Sequence, residues 1–487
     1  MESTLRAFCA TMILLVLWVS GCATPKKKDP SSPVSVPANW KATNVKSPMA
    51  PSGWLQTFHD PVLDGVVRGV LSDNFDLKAA AARLQGALAQ SRITASALYP
   101  QAGLAGGASV NDTPVYNARG AQYQIDPGNW NYTVDLNLSW ELDVWGRLRS
   151  LNQAGKADAA SATFVYEGAR LSLAAQAAKA WFAVLESREQ VRIAEETLKS
   201  FTKTHDLAKA RYDNGAVSSF DVHLSSADET GAESNLTQRR QNLADAKRSL
   251  ETLLGRYPSA ELESGHASLP CLVPEVPAGL PSELLLRRPD LRAADWSLFS
   301  SENRLFSAKT ERLPKLALTS SAGTPSVLLQ DLSNDQSFLY TIAANLTEPV
   351  LDGGRISANI RLSRAQRDVA AAQYAQQVLT AFREVENTLS NESTLLTRLL
   401  LQQKALGELR EAYRIATIRY KSGQIDIVSL LQAQRSMLAA ESVLVNTRLL
   451  RVNNRIDLFL ALGESIGPRT PAMLFRDTTL KLPLPSA

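Results

Sequence analysis

The sequence predicts an α+β membrane protein built from an internal repeat, with two long β-strands and two very long α-helices in each half. Three observations predict it. The two halves align in register, twelve successive residues alternate without exception between apolar and polar, and two stretches of more than a hundred residues contain no proline.

Composition removes several classes. Among 487 residues Lys+Arg number 52 and Asp+Glu 48, a net charge of +4. Nucleic-acid binding needs a strongly basic face, so no nucleic-acid partner is expected. Three cysteines cannot build a disulfide framework, and four histidines (His59, His205, His223, His266) lack metal-ligand spacing, so neither metal nor cofactor is expected. An enzyme is not expected either, because no GxSxG, HExxH, Walker or dinucleotide-binding fingerprint occurs. Asp352-Gly353-Gly354 reads as a turn leaving a strand, and Glu384 and Glu386, two apart on a helix, face different directions.

Residues 5–19 form an apolar run behind Arg6, shorter than the ~20 residues a membrane helix needs. With the small residues after it, this predicts a signal peptide over 1–21. Val19-Ser20-Gly21-Cys22 resembles a bacterial lipobox, which makes Cys22 the acylated first residue of the mature chain. Ala23, in place of Asp, resembles lipoproteins sorted to the outer membrane. The lipobox implies several acyl chains, which hold far more firmly than the marginal grip of one. Residues 22–50, with Lys26-Lys27-Lys28 and frequent proline, read as a solvated tether. Cys271 is expected as a lone packed thiol.

The repeats are expected over 51–270 and 271–487. Asp76-Leu77-Lys78-Ala79-Ala80 matches Asp290-Leu291-Arg292-Ala293-Ala294, and Pro100 matches Pro314, all 214 apart. Asn137-Leu138-Ser139 matches Asn345-Leu346-Thr347, Gly146-Arg147 matches Gly354-Arg355, Arg211-Tyr212 matches Arg419-Tyr420, Gly215 matches Gly423, and Leu254-Gly255 matches Leu462-Gly463, all 208 apart. The first half therefore carries six extra residues between Pro100 and Asn137, a longer loop.

From Thr133 to Val144 apolar residues (Val134, Leu136, Leu138, Trp140, Leu142, Val144) alternate with polar ones (Thr133, Asp135, Asn137, Ser139, Glu141, Asp143). A tilted membrane strand needs about 9 to 11 residues with one face to lipid and one to a wet lumen. Strands are expected at about 101–112, 131–144, 315–323 and 339–350, with Glu348 breaking the apolar face of the last near one end. A soluble sheet with one wet face has the same alternation, but the lipoprotein signal favours a membrane. Barrels in lipid start at about eight strands, so four strands force an oligomer.

Helices are expected at about 147–212, 219–254, 355–420 and 427–462, in stretches rich in good helix formers. Leu171, Ala174, Ala178, Trp181 and Leu185 keep the a/d step of a coiled-coil seam. The first rod would be about 100 Å long. Both rods break at Tyr-x-x-Gly, where Gly215 and Gly423 suit the left-handed position after a helix. Ser218 with Asp221, and Asp426 with Ser429, are placed to cap the returning helices.

The Cys22 lipobox, Leu286-Arg287-Arg288-Pro289-Asp290-Leu291, the paired Gly-Arg steps after the strands, Phe382-Arg383-Glu384-Val385-Glu386-Asn387 and the two Tyr-x-x-Gly turns occur in one order and largely in duplicate. Together they resemble the TolC-like outer-membrane efflux family, lipoprotein branch, serving resistance-nodulation-division multidrug pumps. The resemblance implies a homotrimer lipid-anchored in the outer membrane. Twelve strands would form one β-barrel, continuous with a coiled-coil α-barrel crossing the periplasm. An equatorial region would come from about 40–75, 257–289 and the C-terminal segment 464–487. The channel would conduct drugs or other toxic small molecules passively, while an inner-membrane pump and a periplasmic adaptor supply energy and capture. Its gate would lie at the hairpin tips, near 212–222 and 420–430, with Tyr212, Gly215, Asp221, Tyr420, Gly423, Asp426, Ser429, Gln432 and Arg435 as candidates. Where related channels carry acidic constriction residues, this chain has Ser429 and Gln432, which favours a polar hydrogen-bonded constriction over a carboxylate ring. Two other readings stand beside this one: the outer component of a type I protein secretion system, and a lipid-anchored coiled-coil spacer.

Overall fold

A computed structural model describes residues 25–27, 34, 35, 37, 40–42, 53–110, 130–263, 268–270, 281–326, 328, 329 and 338–464. The signal peptide, Cys22, Cys271, the loop after β1 and the segment beyond Glu464 lie outside them. In chain order the elements are α1 (Pro61–Asp73), α2 (Phe75–Ser96), β1 (Gln101–Val110), β2 (Trp130–Leu142), α3 (Arg147–Asp213), α4 (Ser219–Leu253), α5 (Pro289–Thr310), β3 (Lys315–Ser326), β4 (Leu339–Thr347), α6 (Arg355–Lys421) and α7 (Ile427–Ala461). Short 3-10 turns stand at Trp54–Phe58 and Pro281–Glu283, and one helical turn at Leu284–Arg287.

The 208-residue offset holds to the residue. The helices α3 and α6 each have 67 residues, and α4 and α7 each have 35. The seam residues Leu171, Ala174, Ala178, Trp181 and Leu185 are all buried, none more than 7% exposed. Ala174, Ala178, Trp181 and Leu185 share one cluster with Trp54, Phe58, Leu63, Val67, Leu250, Ile456 and Phe459. Asp60 ties it together: Oδ1 accepts from Val62 N and Leu63 N at 2.9 and 3.2 Å, capping α1, and Oδ2 accepts from Trp181 Nε1 at 2.7 Å.

The junctions are duplicated as well. Asn74 Nδ2 donates to the Leu253 carbonyl at 3.0 Å, and Arg288 Nη1 donates to the Ala461 carbonyl at 3.1 Å. Each side chain pins the end of a returning helix. Arg288 also bonds Asp290 at 2.7 Å and pairs with Glu384 at 2.7 Å. Two sequence motifs thereby acquire a joint role, the first supplying Arg288 and Asp290, the second Glu384.

By contacts the chain forms two compact units. The first comprises the N-terminal segment to Pro30 with Arg83–Thr163 and Ala293–Tyr374; the second comprises Ser31–Ala82, Phe164–Arg292 and Ala375–Ala487. Each unit draws on both halves of the sequence, so the repeat is a unit of sequence and not of packing.

Several details differ from expectation. Of the first strands of the two hairpins, β1 is described from Gln101 to Val110, while β3 runs three residues further than expected, to Ser326. The second strands end early, β2 at Leu142 and β4 at Thr347, so Glu348 lies beyond its strand rather than within its apolar face. Asp143 and Asp352 leave the strands to cap helices instead, Asp143 accepting from Leu148 N and Arg149 N, Asp352 from Gly354 N and Ile356 N. The helices α1, α2 and α5 were not foreseen. The residues after Cys22 are not wholly solvated, because Lys27 and Trp40 are packed.

Candidate functional site

The four strands form one antiparallel sheet in the order β1-β2-β3-β4. Its register carries the alternation across all four. Leu104 faces Leu136, Leu136 faces Ala322, and Ala322 faces Tyr340; one step along, Gly103, Asn137, Ser321 and Thr341 share a row. The even rows make the more apolar face, carried by β2 and β4 and interrupted on β3 by Ser320 and Thr324, and the odd rows the more polar one, where Asn345 Nδ2 donates to Thr319 Oγ1 at 3.2 Å. Among the described residues nothing covers the apolar face: Leu104 is 75%, Ile342 77% and Leu346 67% exposed. So large an apolar patch marks contact with membrane or protein. Among the described residues both edges, β1 and β4, lack a partner strand. Strictly antiparallel order makes these edges run in opposite directions, so β4 of one copy can pair antiparallel with β1 of a rotated copy.

At the other candidate region, both rods end in one motif. Gly215 has φ +71° and Gly423 φ +75°. Around them Ala216 N donates to Arg211 O at 2.8 Å, and Gln424 N to Arg419 O at 2.9 Å. These bonds satisfy carbonyls that a helix end leaves open. Capping of the returning helices is not duplicated. Asp426 accepts from Ser429 N at 2.8 Å, whereas Ser218 makes no side-chain cap bond. Hydrogen bonds from Ser429 hold the Asp426 carboxyl below the usual range.

The two tyrosines diverge further. Tyr212 is 47% exposed; Tyr420 is 1% exposed, within a cluster of Phe201, Ala208, Ala232, Ile427, Leu430 and Leu431. The Arg211 guanidinium lies 4.7 Å from the Tyr420 ring centre and donates to the Tyr420 carbonyl. Burial and the negative charge of Asp221 push the Tyr420 phenol up, against the pull of Arg211. Its hydroxyl is buried and its nearest acceptor among the described residues is the Asp221 carboxylate, at the margin of hydrogen-bond geometry.

Asp426, Ser429, Gln432 and Arg435 follow one another at helical steps of three along α7, all exposed. Gln432 Nε2 donates weakly to Ser436 Oγ at 3.4 Å, and Arg435 forms a two-pronged pair with Asp228 at 2.6 Å. Asp221 is half-buried on the first turn of α4. Sequence reasoning missed Asp228 and the partly buried chain in which Tyr413, Ser200, Gln434 and Thr204 are joined at 2.9 to 3.1 Å. In the sequence Arg211 is marked only as half of the repeated Arg-Tyr dipeptide. No signal marks such residues before the two hairpins are packed side by side.

Comparison with known proteins gives a consistent picture. A family model described as outer membrane efflux protein matches residues 66–256 and 280–464. The probable efflux pump outer membrane protein TtgC of Pseudomonas putida is 29% identical over 472 residues, 95% of this chain and 96% of that protein. The probable outer membrane lipoprotein SilC of Salmonella typhimurium is 26% identical, covering 93% and 97%. The cation efflux system protein CusC of Escherichia coli is 27% identical, covering 94% and 98%. Among solved structures, the outer-membrane channel OprN superposes with a TM-score of 0.83 at 27% identity, over 91% of this chain and 99% of that one. The open state of the Neisseria gonorrhoeae MtrE outer membrane channel gives 0.79 at 27% identity, over 91% and 98%.

Proposed function

Since the chain belongs to the outer membrane efflux protein family and serves as the outer-membrane channel of an efflux pump, we propose that three copies close a twelve-stranded barrel through which substrates leave passively. The observation that carries this reading is the sheet that, among the described residues, has two open edges and an uncovered apolar face. In lipid no strand edge can stay unpaired, because each unbonded backbone group there costs several kcal/mol. Four strands fall short of the smallest barrels. Three chains supply twelve, and the opposed directions of β1 and β4 keep the closed sheet antiparallel throughout.

The polar face then lines a wet lumen and the apolar face meets lipid. Acyl chains on Cys22 anchor each copy. An inner-membrane resistance-nodulation-division pump and a periplasmic adaptor supply energy and capture, and the hairpin ends close the periplasmic entrance. The exposed Asp426, Ser429 and Gln432 narrow it with polar groups, and Tyr212, Asp221, Tyr420 and Arg435 hold the ends in place around Gly215 and Gly423. No bond is made or broken in the cargo. Drugs and other toxic small molecules are the expected cargo class.

The test is the native mass of the detergent-extracted protein with the intact mass of its denatured chain. A trimer of chains carrying acyl groups is expected. A stable acylated monomer would overturn the barrel and leave a lipid-anchored coiled-coil spacer.

A further inference from the structure

We propose that Gln434, buried on α7, is a positioning residue for the periplasmic entrance: bonded to Ser200 and Thr204 of α3, it fixes the height and rotation of the α7 turn that presents Ser429 and Gln432. The proposal rests on the reading of those two exposed residues as the constriction.

Within the second unit, Ile427, Leu430, Gln434 and Leu438 follow one another along α7 at steps of three, four and four, which places them on one helix face. Ile427 and Leu430 are buried and Leu438 packs against the same cluster, so an amide stands where the pattern calls for an apolar side chain. Gln434 is 0% exposed. A buried amide is costly unless its polar atoms are bonded. Here Oε1 accepts from Thr204 Oγ1 at 3.1 Å, and Nε2 donates to Ser200 Oγ at 2.9 Å. Ser200 Oγ also lies 3.0 Å from Tyr413 Oη on α6, so one serine hydroxyl joins three helices. A polar residue in an apolar seam selects one register, because any slide of the helices strands its amide in the core.

The constriction candidate Gln432 is two residues away, about 200° around the helix, and exposed. Whatever holds Gln434 therefore sets where Gln432 points. Two higher rungs keep the same pair of helices in step. Gln190 of α3 is 5% exposed; its Nε2 donates to the Ser442 carbonyl at 3.1 Å, and its Oε1 accepts from Ser442 Oγ at 2.7 Å. Above it Lys179 pairs with Asp457 at 2.5 Å. From Lys179 to Ser200 α3 advances 21 residues while from Asp457 back to Gln434 α7 covers 23, so the antiparallel helices are pinned at three matching levels. Gln434 is the rung closest to the turn at Gly423. The repeat does not carry this pin: the positions 208 residues from Gln434, Ser200 and Thr204 hold Ser226, Glu408 and Ala412, which offer neither the amide nor the two hydroxyls.

Single-channel recording and hydrogen exchange of the full-length, detergent-extracted protein test the pin. Gln434→Leu keeps the bulk and removes the bonds, and the triple variant Gln434→Leu, Ser200→Ala, Thr204→Val makes both sides of the contact apolar. Replacing both partners restores most of what stranding one of them loses, so the thermal midpoint should fall in the single variant and recover in the triple. Position should not recover. In both variants the resting conductance should rise about threefold or more, and exchange of α7 amides between Ile427 and Leu438 about tenfold or more. A triple variant with wild-type conductance and wild-type exchange would overturn the proposal and leave Gln434 a satisfied core residue. Conductance raised by Gln432→Ala but by neither Gln434 variant would overturn it as well. Faster exchange in both variants, with conductance unmoved by them and by Gln432→Ala, would uphold the pin and overturn only the constriction at Ser429 and Gln432.

Discussion

At the scale of the residue, a ring and its hydroxyl can be judged separately at Tyr420. The ring is buried at a hairpin end beneath Arg211, while the hydroxyl has only the Asp221 carboxylate near it as an acceptor among the described residues. A buried hydroxyl whose one acceptor, Asp221, is marginally placed contributes little. Tyr420→Phe is therefore expected within about 0.5 kcal/mol of wild type, whereas Tyr420→Ala should cost about 3 to 5 kcal/mol. Hydrogen exchange of amides around Gly423 reads both; a larger loss for the Phe variant would show that the bond to Asp221 is a full one. Asp290 gives a pH dependence. Burial works to raise its pKa, but hydrogen bonds and charge from Arg288 overcome this and hold it low. A group with a lowered folded pKa stabilises above its unfolded value, about 3.9, and loses that contribution as pH falls through the lower folded value. Thermal midpoints of wild type and Asp290→Asn should differ at pH 6 and converge as pH falls through the lowered folded value. A gap that persists in acid would mean that the charge is not what matters. Gln432 tests the constriction: Gln432→Ala should raise single-channel conductance, and no change would remove that residue from the narrowest point.

At the scale of the element, the duplicated chain offers its own controls. Gly215 and Gly463 both have positive φ, +71° and +68°, but a Cβ added at Gly215 meets nothing within 4 Å, whereas at Gly463 it comes within 3.0 Å of the Arg287 and Arg288 backbone. Gly215→Ala should therefore cost only the left-handed strain of roughly 1 kcal/mol. Gly463→Ala should add the roughly 1 to 3 kcal/mol of forced backbone movement that overpacking brings. Equal shifts in thermal midpoint would mean that the returning helix does not end against that junction. The rods, returning helices and strands were all legible because periodicity and repeat offset constrain each other: an element seen in one half could be sought 208 residues away. Strand ends were less legible. Val144 keeps the alternation in sequence, yet Asp143 has already turned to cap α3, a contact that period alone cannot reveal. The helices α2 and α5 were not legible because neither carries a pronounced amphipathic period, although Pro289 at the first position of α5 is a start signal. The hairpin ends were located by glycine, but the difference between Tyr212 and Tyr420 could not be, since it depends on which hairpin covers which ring.

At the scale of the whole molecule, a single residue step decides whether a side chain meets lipid or water. Leu136 and Asn137 are adjacent near the middle of β2, and the register carries that difference across the sheet: Leu136 lies level with Leu104 and Ala322, Asn137 with Gly103 and Ser321. In a soluble sheet the apolar face would be covered by a core, yet Leu136 is 51% exposed. In the proposed barrel an arginine at Leu136 enters hydrocarbon near mid-membrane, at a cost of about 2 to 4 kcal/mol per chain. Three chains make that cost threefold, enough to deplete assembled protein. At Asn137 the same arginine enters the lumen, where water and counter-ions screen it, so assembly should survive while conductance changes. The measurement is the yield of folded trimer from outer membranes for Leu136→Arg and Asn137→Arg, with single-channel recording of whichever assembles. Loss of trimer with Leu136→Arg alone fits the assignment of faces. Loss with Asn137→Arg alone would turn the sheet inside out. Equal tolerance of both would mean that neither face meets lipid, and the case for a barrel would have to be abandoned.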